Sequence, residues 1–190
     1  VYDVFNGDAD GICALIQLRL AEPAETTLIT GVKRDIALVR QVPTIKPVKA
    51  TILDISLDKN REAVDALLAL GSEVFYVDHH FPGESLPDAP GFTALIDTQP
   101  TTCTSLLVDR YLGGQFHNWA IAAAFGDNLN AVAEELAEVA GLSAAQAESL
   151  KTLGVCINYN GYGATVDDLH FHPADLYREF VKFEDPLELI

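Results

Sequence analysis

Short runs rich in β-branched and aromatic residues alternate along the first half of the chain with longer stretches of helical spacing, and nothing else in the sequence limits the fold so strongly. The short runs are Val1–Phe5, Thr27–Thr30, Thr51–Leu53 and Val74–Val77, the length and composition of buried strands. Between them Gly11–Leu20, Asp35–Val42 and Lys59–Leu70 are predicted helices, the last with Ala63, Val64, Leu67, Leu68 and Leu70 at helical spacing. Strand–helix–strand alternation requires a parallel sheet with right-handed crossovers. Phe92–Ile96 fits a fifth strand. The rest is almost wholly helical: Thr102–Leu112, Asn118–Phe125, Leu129–Ala140, Ala144–Ile157 and Ala174–Phe183. Gly113, Gly114 and Gly141 serve as helix stops and Ser143 as an N-cap. The fold class is α/β, a parallel sheet with flanking helices and a more helical second half.

Composition narrows what such a domain can handle. Hydrophobic residues make up 49% of 190 residues, enough for a packed core of one domain. Against 12 Lys and Arg stand 28 Asp and Glu, a net charge of -16. That field repels polyanions and excludes broad nucleic-acid binding by charge alone. A divalent cation offsets such a deficit locally. Cys13, Cys103 and Cys156 lie far apart without CxxC spacing, so free thiols in a reducing compartment are expected. No basic-then-apolar opening and no membrane-length apolar run is present, so the expected localisation is cytoplasmic. A chain that begins at Val1 and has no methionine is expected to be a trimmed piece of a longer one.

In an open parallel sheet, ligands bind beyond the carboxyl ends of the strands. The first strand is followed by Asn6-Gly7-Asp8-Ala9-Asp10-Gly11, the second by Gly31-Val32-Lys33-Arg34, the third by Asp54 and the fourth by Asp78-His79-His80. Carboxylates gathered on one rim repel one another unless a positive charge sits among them. Lys33 and Arg34 supply part of it, and histidines beside carboxylates favour Mn, Fe, Zn or Co over Ca or Mg. Gly7 and Gly11 permit a tight turn and a helix start. Each group taken singly has a plainer reading. Asp8–Gly11 can be a surface turn, Asp54 a helix cap, His79 and His80 exposed loop histidines, and Lys33 and Arg34 a solvated helix start. What separates the readings is whether all of them reach the same rim.

Asp8-x-Asp10-Gly11 after the first strand, Asp54 after the third, Asp78-His79-His80 closing the fourth and Gly126-Asp127-Asn128 after an apolar helix together resemble the DHH phosphoesterase family. The four motifs stand in the family's order. The resemblance implies that Asp10, Asp54, His79 and Asp127 bind one ion, usually manganese, and that Asp8 and Asp54 bind a second, with Asp54 as the bridge. It implies that His80 touches the scissile phosphate, that Asp78 orients the histidines, and that water between the ions is the nucleophile. Lys33 and Arg34 are the candidate substrate-binding residues. Many members carry a histidine four residues before the first motif aspartate; Val4 stands there and offers no donor. The second ion then relies on Asp8, Asp54, Asn6 and substrate phosphate, so one or two manganese ions are expected.

Residues 1–157 are assigned to the DHH-like catalytic domain and 158–190 to a connector and terminal helix. The resemblance implies a further C-terminal substrate domain with a glycine-rich, histidine-containing motif. None follows Gly163, and the expectation is either a trimmed catalytic domain or a member lacking that substrate clamp. His117, His170 and His172 lie outside the motifs and are taken as ordinary histidines. The expected activity is hydrolysis of a phosphoester or phosphoanhydride in a small substrate, a nucleotide or short oligonucleotide. Long nucleic acid and membrane are not expected partners, and a homodimer is left open. The alternative is a non-catalytic nucleotide- or metal-sensing module. An aspartyl-phosphate receiver also places acids at strand ends, but does not call for paired histidines.

Overall fold

The structure, a computed structural model, describes residues 1–189. Five parallel strands form one sheet in the order β2-β1-β3-β4-β5. They are β1 (Tyr2–Phe5), β2 (Thr27–Ile29), β3 (Lys49–Leu53), β4 (Glu73–Asp78) and β5 (Phe92–Ile96). Helices α1 (Ala9–Ala21) and α2 (Leu57–Ala69) make the first crossovers. The α/β class and all five strands agree with the sequence reading. The chain steps from β1 outward to β2 and returns on the other side as β3. That reversal opens a crevice between the carboxyl ends of β1 and β3.

Strand alternation divides the core. Val4, Ile52 and Tyr76 are register neighbours across β1, β3 and β4 and join a buried cluster with Leu57, Val64 and Leu67 of α2. Their successors Phe5, Leu53 and Val77 face the opposite way and join Ile12, Leu15 and Ile16 of α1. With both faces covered, the strands are apolar in sequence instead of alternating, as parallel sheets require.

The segment 35–42 departs from expectation. In place of a helix it holds only a 3-10 turn, Val39–Gln41. Pro43 follows, which disfavours helical backbone at Val42, found extended at ψ 124. The polar backbone is satisfied from outside: Asn60 of α2 donates to the Ile36 carbonyl (2.7 Å) and accepts from the Val39 N–H (3.2 Å).

The second half packs α3 (Thr104–Tyr111), α4 (His117–Gly126), α5 (Asn130–Val139), α6 (Ala144–Asn160) and α7 (Pro173–Phe180) against the α1 side. Trp119 through Gly126 are all buried, so α4 is the apolar helix around which the others gather. It meets α6 where Gly154 leaves no room for a Cβ beside Ala122, and its last residue, Gly126, is pressed against Ala9 and Gly154. Ser143 caps α6 with a full capping box, and Gly113, Gly114 and Gly141 take positive φ after their helices. α6 runs past the expected stop at Ile157, through the turn-prone residues to Asn160. There the asparagine amides are used in tertiary bonds. Asn160 exchanges two hydrogen bonds with the Phe171 backbone (2.9 and 3.0 Å). Among the described residues, no helix is long and apolar enough to cross a membrane.

Candidate functional site

At the end of β1 the chain turns sharply into α1. A Cβ on Gly11 would strike the Asn6 backbone and one on Gly7 the Gly31 carbonyl, so both positions admit only glycine. Asp8 is the N-cap of α1: its Oδ1 accepts from the N–H of Asp10 (3.1 Å) and Gly11 (3.2 Å). Asp8 and Asp10 are buried, so this is not a surface turn. Asp10 reaches across to α3, where Thr104 N–H donates to its Oδ2 and Ser105 N–H to its Oδ1, both at 2.7 Å. α3 has no capping side chain of its own at Cys103. Asp10 therefore satisfies the open N–H groups of a helix ninety-odd residues away in sequence and complements its dipole. Sequence reasoning missed Thr104 and Ser105: Thr101 precedes the expected helix start at Thr102 as a plausible N-cap, so nothing local marked the remote cap.

Asp54, after β3, has φ 60, the left-handed region that non-glycine residues other than Asn and Asp rarely adopt. It does not cap α2; its Oδ1 accepts from Thr104 Oγ1 (3.0 Å). His79, just beyond β4, projects into the same space. Its Nε2 lies 3.4 Å from Asp54 Oδ1, 3.7 Å from Asp10 Oδ2 and 3.8 Å from Asp127 Oδ2. Asp127 follows the C-terminus of α4, the partly negative end of the helix dipole, which adds to the attraction for a cation. His80 leans out, its ring 4.3 Å from that of His79 and its side chain 46% exposed. Its Nδ1 is 2.7 Å from Asp78 Oδ1. Asp78 itself is buried, with Oδ2 unpartnered.

The groups named from the sequence thus meet at one rim, with a division. Asp10, Asp54, His79 and Asp127 converge, and donor atoms of Asp10, His79 and Asp127, and of Asp54, His79 and His80, lie within 4.8 Å of one another. Asp8 stands to the side, facing Lys33. The Lys33 ammonium is 2.7 Å from Asp8 Oδ2, 2.7 Å from Asn158 Oδ1 and 3.7 Å from Asp127 Oδ1. Arg34 turns outward and donates to the Ala164 carbonyl (3.2 Å). Val4 is fully buried in the α2-side core. Asn6 does not face an ion site through its oxygen, which accepts from Asp8 N–H; its amide donates to the Lys33 carbonyl. Asn158, read as part of a connector, is a site residue that no local sequence signal marked.

The fold is similar to that of a RecJ exonuclease. The crystal structure of exonuclease RecJ bound to manganese superposes with a TM-score of 0.51 at 20% identity, covering 85% of this chain and 48% of that one. RecJ from Thermus thermophilus in complex with Mn2+ gives 0.48 at 18% identity, over 97% of this chain and 37% of that one. The chain therefore spans about half or less of these proteins. No family model matches the sequence, and no curated relative is found.

Electrostatics favour a cation in the convergent half. Burial, then Asp10, Asp8, Asp78 and Asp127, holds the Asp54 carboxyl well above the usual carboxylate range. Asp127 is pushed up to about 6 by burial and by Asp10 and Asp8, against the lowering effect of His79 and Lys33. Such carboxyls resist ionising together until a metal sits among them. Three carboxylates and an imidazole nitrogen are a donor set for a borderline transition metal. Opposed ligand atoms around such an ion stand roughly 4 Å apart, and the spacing fits within each of the two triads that share His79: Asp10, His79 and Asp127, and Asp54, His79 and His80.

Proposed function

We propose that the chain is the catalytic part of a metal-dependent phosphoesterase, hydrolysing a phosphoester or phosphoanhydride bond in a small phosphorylated substrate such as a nucleotide or short oligonucleotide. The observation that carries this reading is His79 Nε2 lying within 3.8 Å of carboxylate oxygens from Asp10, Asp54 and Asp127, each delivered by a different element. The RecJ-like fold and the order of the four motifs support it.

Asp10, Asp54, His79 and Asp127 would hold one ion, with manganese the expected metal. When bound, the ion supplies Lewis-acid polarisation of the phosphoryl group and lowers the pKa of a water. His80 acts from the rim. Its hydrogen bond to Asp78 raises its pKa, against the lowering effect of burial, so the imidazolium is favoured. With Nδ1 fixed by Asp78, Nε2–H is the donor offered to a phosphate oxygen, stabilising charge as it develops. Asp78 is a positioning residue, buried behind the ring it orients. Lys33 adds fixed positive charge beside the same space. The net charge of -16 repels long polyanions, and the ion and Lys33 confine attraction to the rim, which suits a small substrate. The compartment that fits is reducing and cytoplasmic, since all three cysteines are free and Cys156 is exposed.

The test is manganese-stimulated hydrolysis of bis-p-nitrophenyl phosphate, followed by a panel of nucleotides and dinucleotides. His80→Asn should lower kcat and leave manganese affinity intact. A chain that binds manganese and hydrolyses nothing on the panel would instead be a nucleotide- or metal-sensing module, the reading that Val4 favours.

A further inference from the structure

Lys33 is held both through its backbone and through its ammonium. Its backbone N–H donates to the Gly161 carbonyl (2.8 Å) and its carbonyl accepts from the Asn6 amide (2.9 Å), which fixes the residue at both ends. Its ammonium meets oxygens from three separate elements: Asp8 at the start of α1, Asn158 in α6 and Asp127 after α4. The Tyr162 ring stands 5.8 Å away on a fourth side.

On the other side of the pair, Asp8 has no free oxygen. Oδ1 is taken by the first N–H groups of α1 and Oδ2 by Lys33. Asn6, the nearest neutral oxygen, accepts from the Asp8 N–H. Val4 belongs to the apolar core. Asp10 also accepts N–H bonds at both oxygens, so what sets Asp8 apart is the ammonium of Lys33 at 2.7 Å, standing where a second ion would have to sit.

We infer that the site takes one divalent ion and that Lys33 is its built-in second cation, a tethered ammonium held between Asp8, Asn158 and Asp127 in place of a second metal. This rests on the phosphoesterase reading and sharpens it. Lys33 neutralises Asp8 and half-screens Asp127 whatever the metal supply. Two of its three N–H donors are committed at 2.7 Å. The third, directed no closer than 3.7 Å to Asp127, remains for a phosphate oxygen of the substrate. The charge resembles that of a metal-bound site, but it cannot dissociate and cannot activate water, so hydrolysis depends on one ion only.

The experiment is manganese titration of the chain by calorimetry with parallel EPR, which distinguishes an isolated ion from an exchange-coupled pair. The expected result is one manganese per chain and an uncoupled signal. Two ions with a coupled signal would overturn the Lys33 assignment and leave the phosphoesterase reading standing; no bound ion would overturn the metal site and both readings with it. Lys33→Gln removes the charge and keeps a donor for Asp8. It should either admit a second manganese or, with one ion, lose at least about tenfold in hydrolysis of bis-p-nitrophenyl phosphate. Unchanged stoichiometry together with unchanged hydrolysis would overturn the proposal.

Discussion

The two halves of the rim use the same chemistry and are in opposite states. Around Asp8 every side-chain oxygen has a donor: two helix N–H groups, and an ammonium that is shared with Asn158. Around Asp54, three carboxylates and an imidazole crowd together. Asp10 and Asp54 accept neutral hydrogen bonds, but the nearest ammonium, Lys33, comes no closer than 3.7 Å to Asp127, and the carboxyls of Asp54 and Asp127 are pushed up. The first arrangement stabilises the fold; the second costs stability in the metal-free chain, a cost that the proposed metal would offset. One tethered amine makes the difference. A cluster of acids is thus a poor guide to metal binding until its counter-charges have been located.

Asp54→Asn should break the comparison most severely. Asparagine tolerates positive φ and still accepts from Thr104, so the backbone has no reason to move. Loss of a ligand oxygen should weaken manganese binding by more than about 100-fold, beyond what removal of an outer-shell partner costs. The metal-free chain should change the other way. An acid whose folded pKa lies above its unfolded one contributes a stability loss that appears as pH rises past the unfolded value. Removing it should raise the melting temperature of the metal-free chain at neutral pH. Unchanged manganese affinity in a titration of this variant would remove Asp54 from the ion site.

Val4→His tests whether the quiet half can be converted to a metal site by placing an imidazole where many DHH phosphoesterases carry one. The position is fully buried among Ile29, Leu38, Val39 and Ile52, all part of one apolar cluster. A histidine there is overpacked and lacks a partner, and should cost roughly 1–3 kcal/mol of stability. Denaturant unfolding and manganese titration check it together: the expected result is a less stable chain that still takes one ion. A second ion at undiminished stability would mean that the core can yield at β1.

The sheet, its strand order of acids and the convergence of Asp10, Asp54, His79 and Asp127 were legible because strand ends in a parallel sheet share a rim, so sequence order maps onto space. What the sequence hid depends on contacts between distant segments. Lys33 next to Asp8 is a pair separated by a strand and a crossover, and Asn158 reaches it from the last turn of α6. Residues 35–42 have a helical pattern, but Pro43 disfavours helical backbone at Val42, a local signal, and Asn60 of α2 then bonds the Ile36 carbonyl and the Val39 N–H from a distance. Asp10 illustrates both sides: its place at the rim follows from the motif, whereas its role as remote cap of α3 follows only from the fold.

Asp8→Asn should have a smaller effect than Asp54→Asn. Asparagine is as good an N-cap as aspartate, so α1 should persist, and the ligands of the single ion remain. Manganese affinity should stay within about tenfold of the parent chain. The visible change should be in Lys33, freed of its closest anion and drawn toward Asp127 and substrate, with a shift in the Michaelis constant for the phosphorylated substrate. A loss of manganese affinity equal to that of Asp54→Asn would place Asp8 among the ligands and erase the division between the halves.

The smallest effect concerns a second histidine–aspartate pair that works outside the rim. His117 Nδ1 is 2.8 Å from Asp109 Oδ2, nearly the spacing of His80 and Asp78, but among the described residues no metal-ligand cluster adjoins it. Asp109 raises the His117 pKa above its ordinary 6.5, against the lowering effect of burial. A histidine with a raised folded pKa stabilises fully below its unfolded pKa, and that contribution disappears as pH rises through the folded one. The pair is partly exposed, so it should contribute only about 1 kcal/mol or less. Urea unfolding of the parent chain and His117→Asn at about pH 6 and about pH 8.5 isolates it: the difference should be present at the lower pH and shrink at the higher. Asp127 loses stability in a lower window, between the ordinary carboxylate pKa and its own value of about 6. Manganese should abolish that lower transition and leave the His117 window unchanged. If manganese altered both, the rim would be coupled to the far end of α3, and the separation of stability from ion binding drawn above would fail.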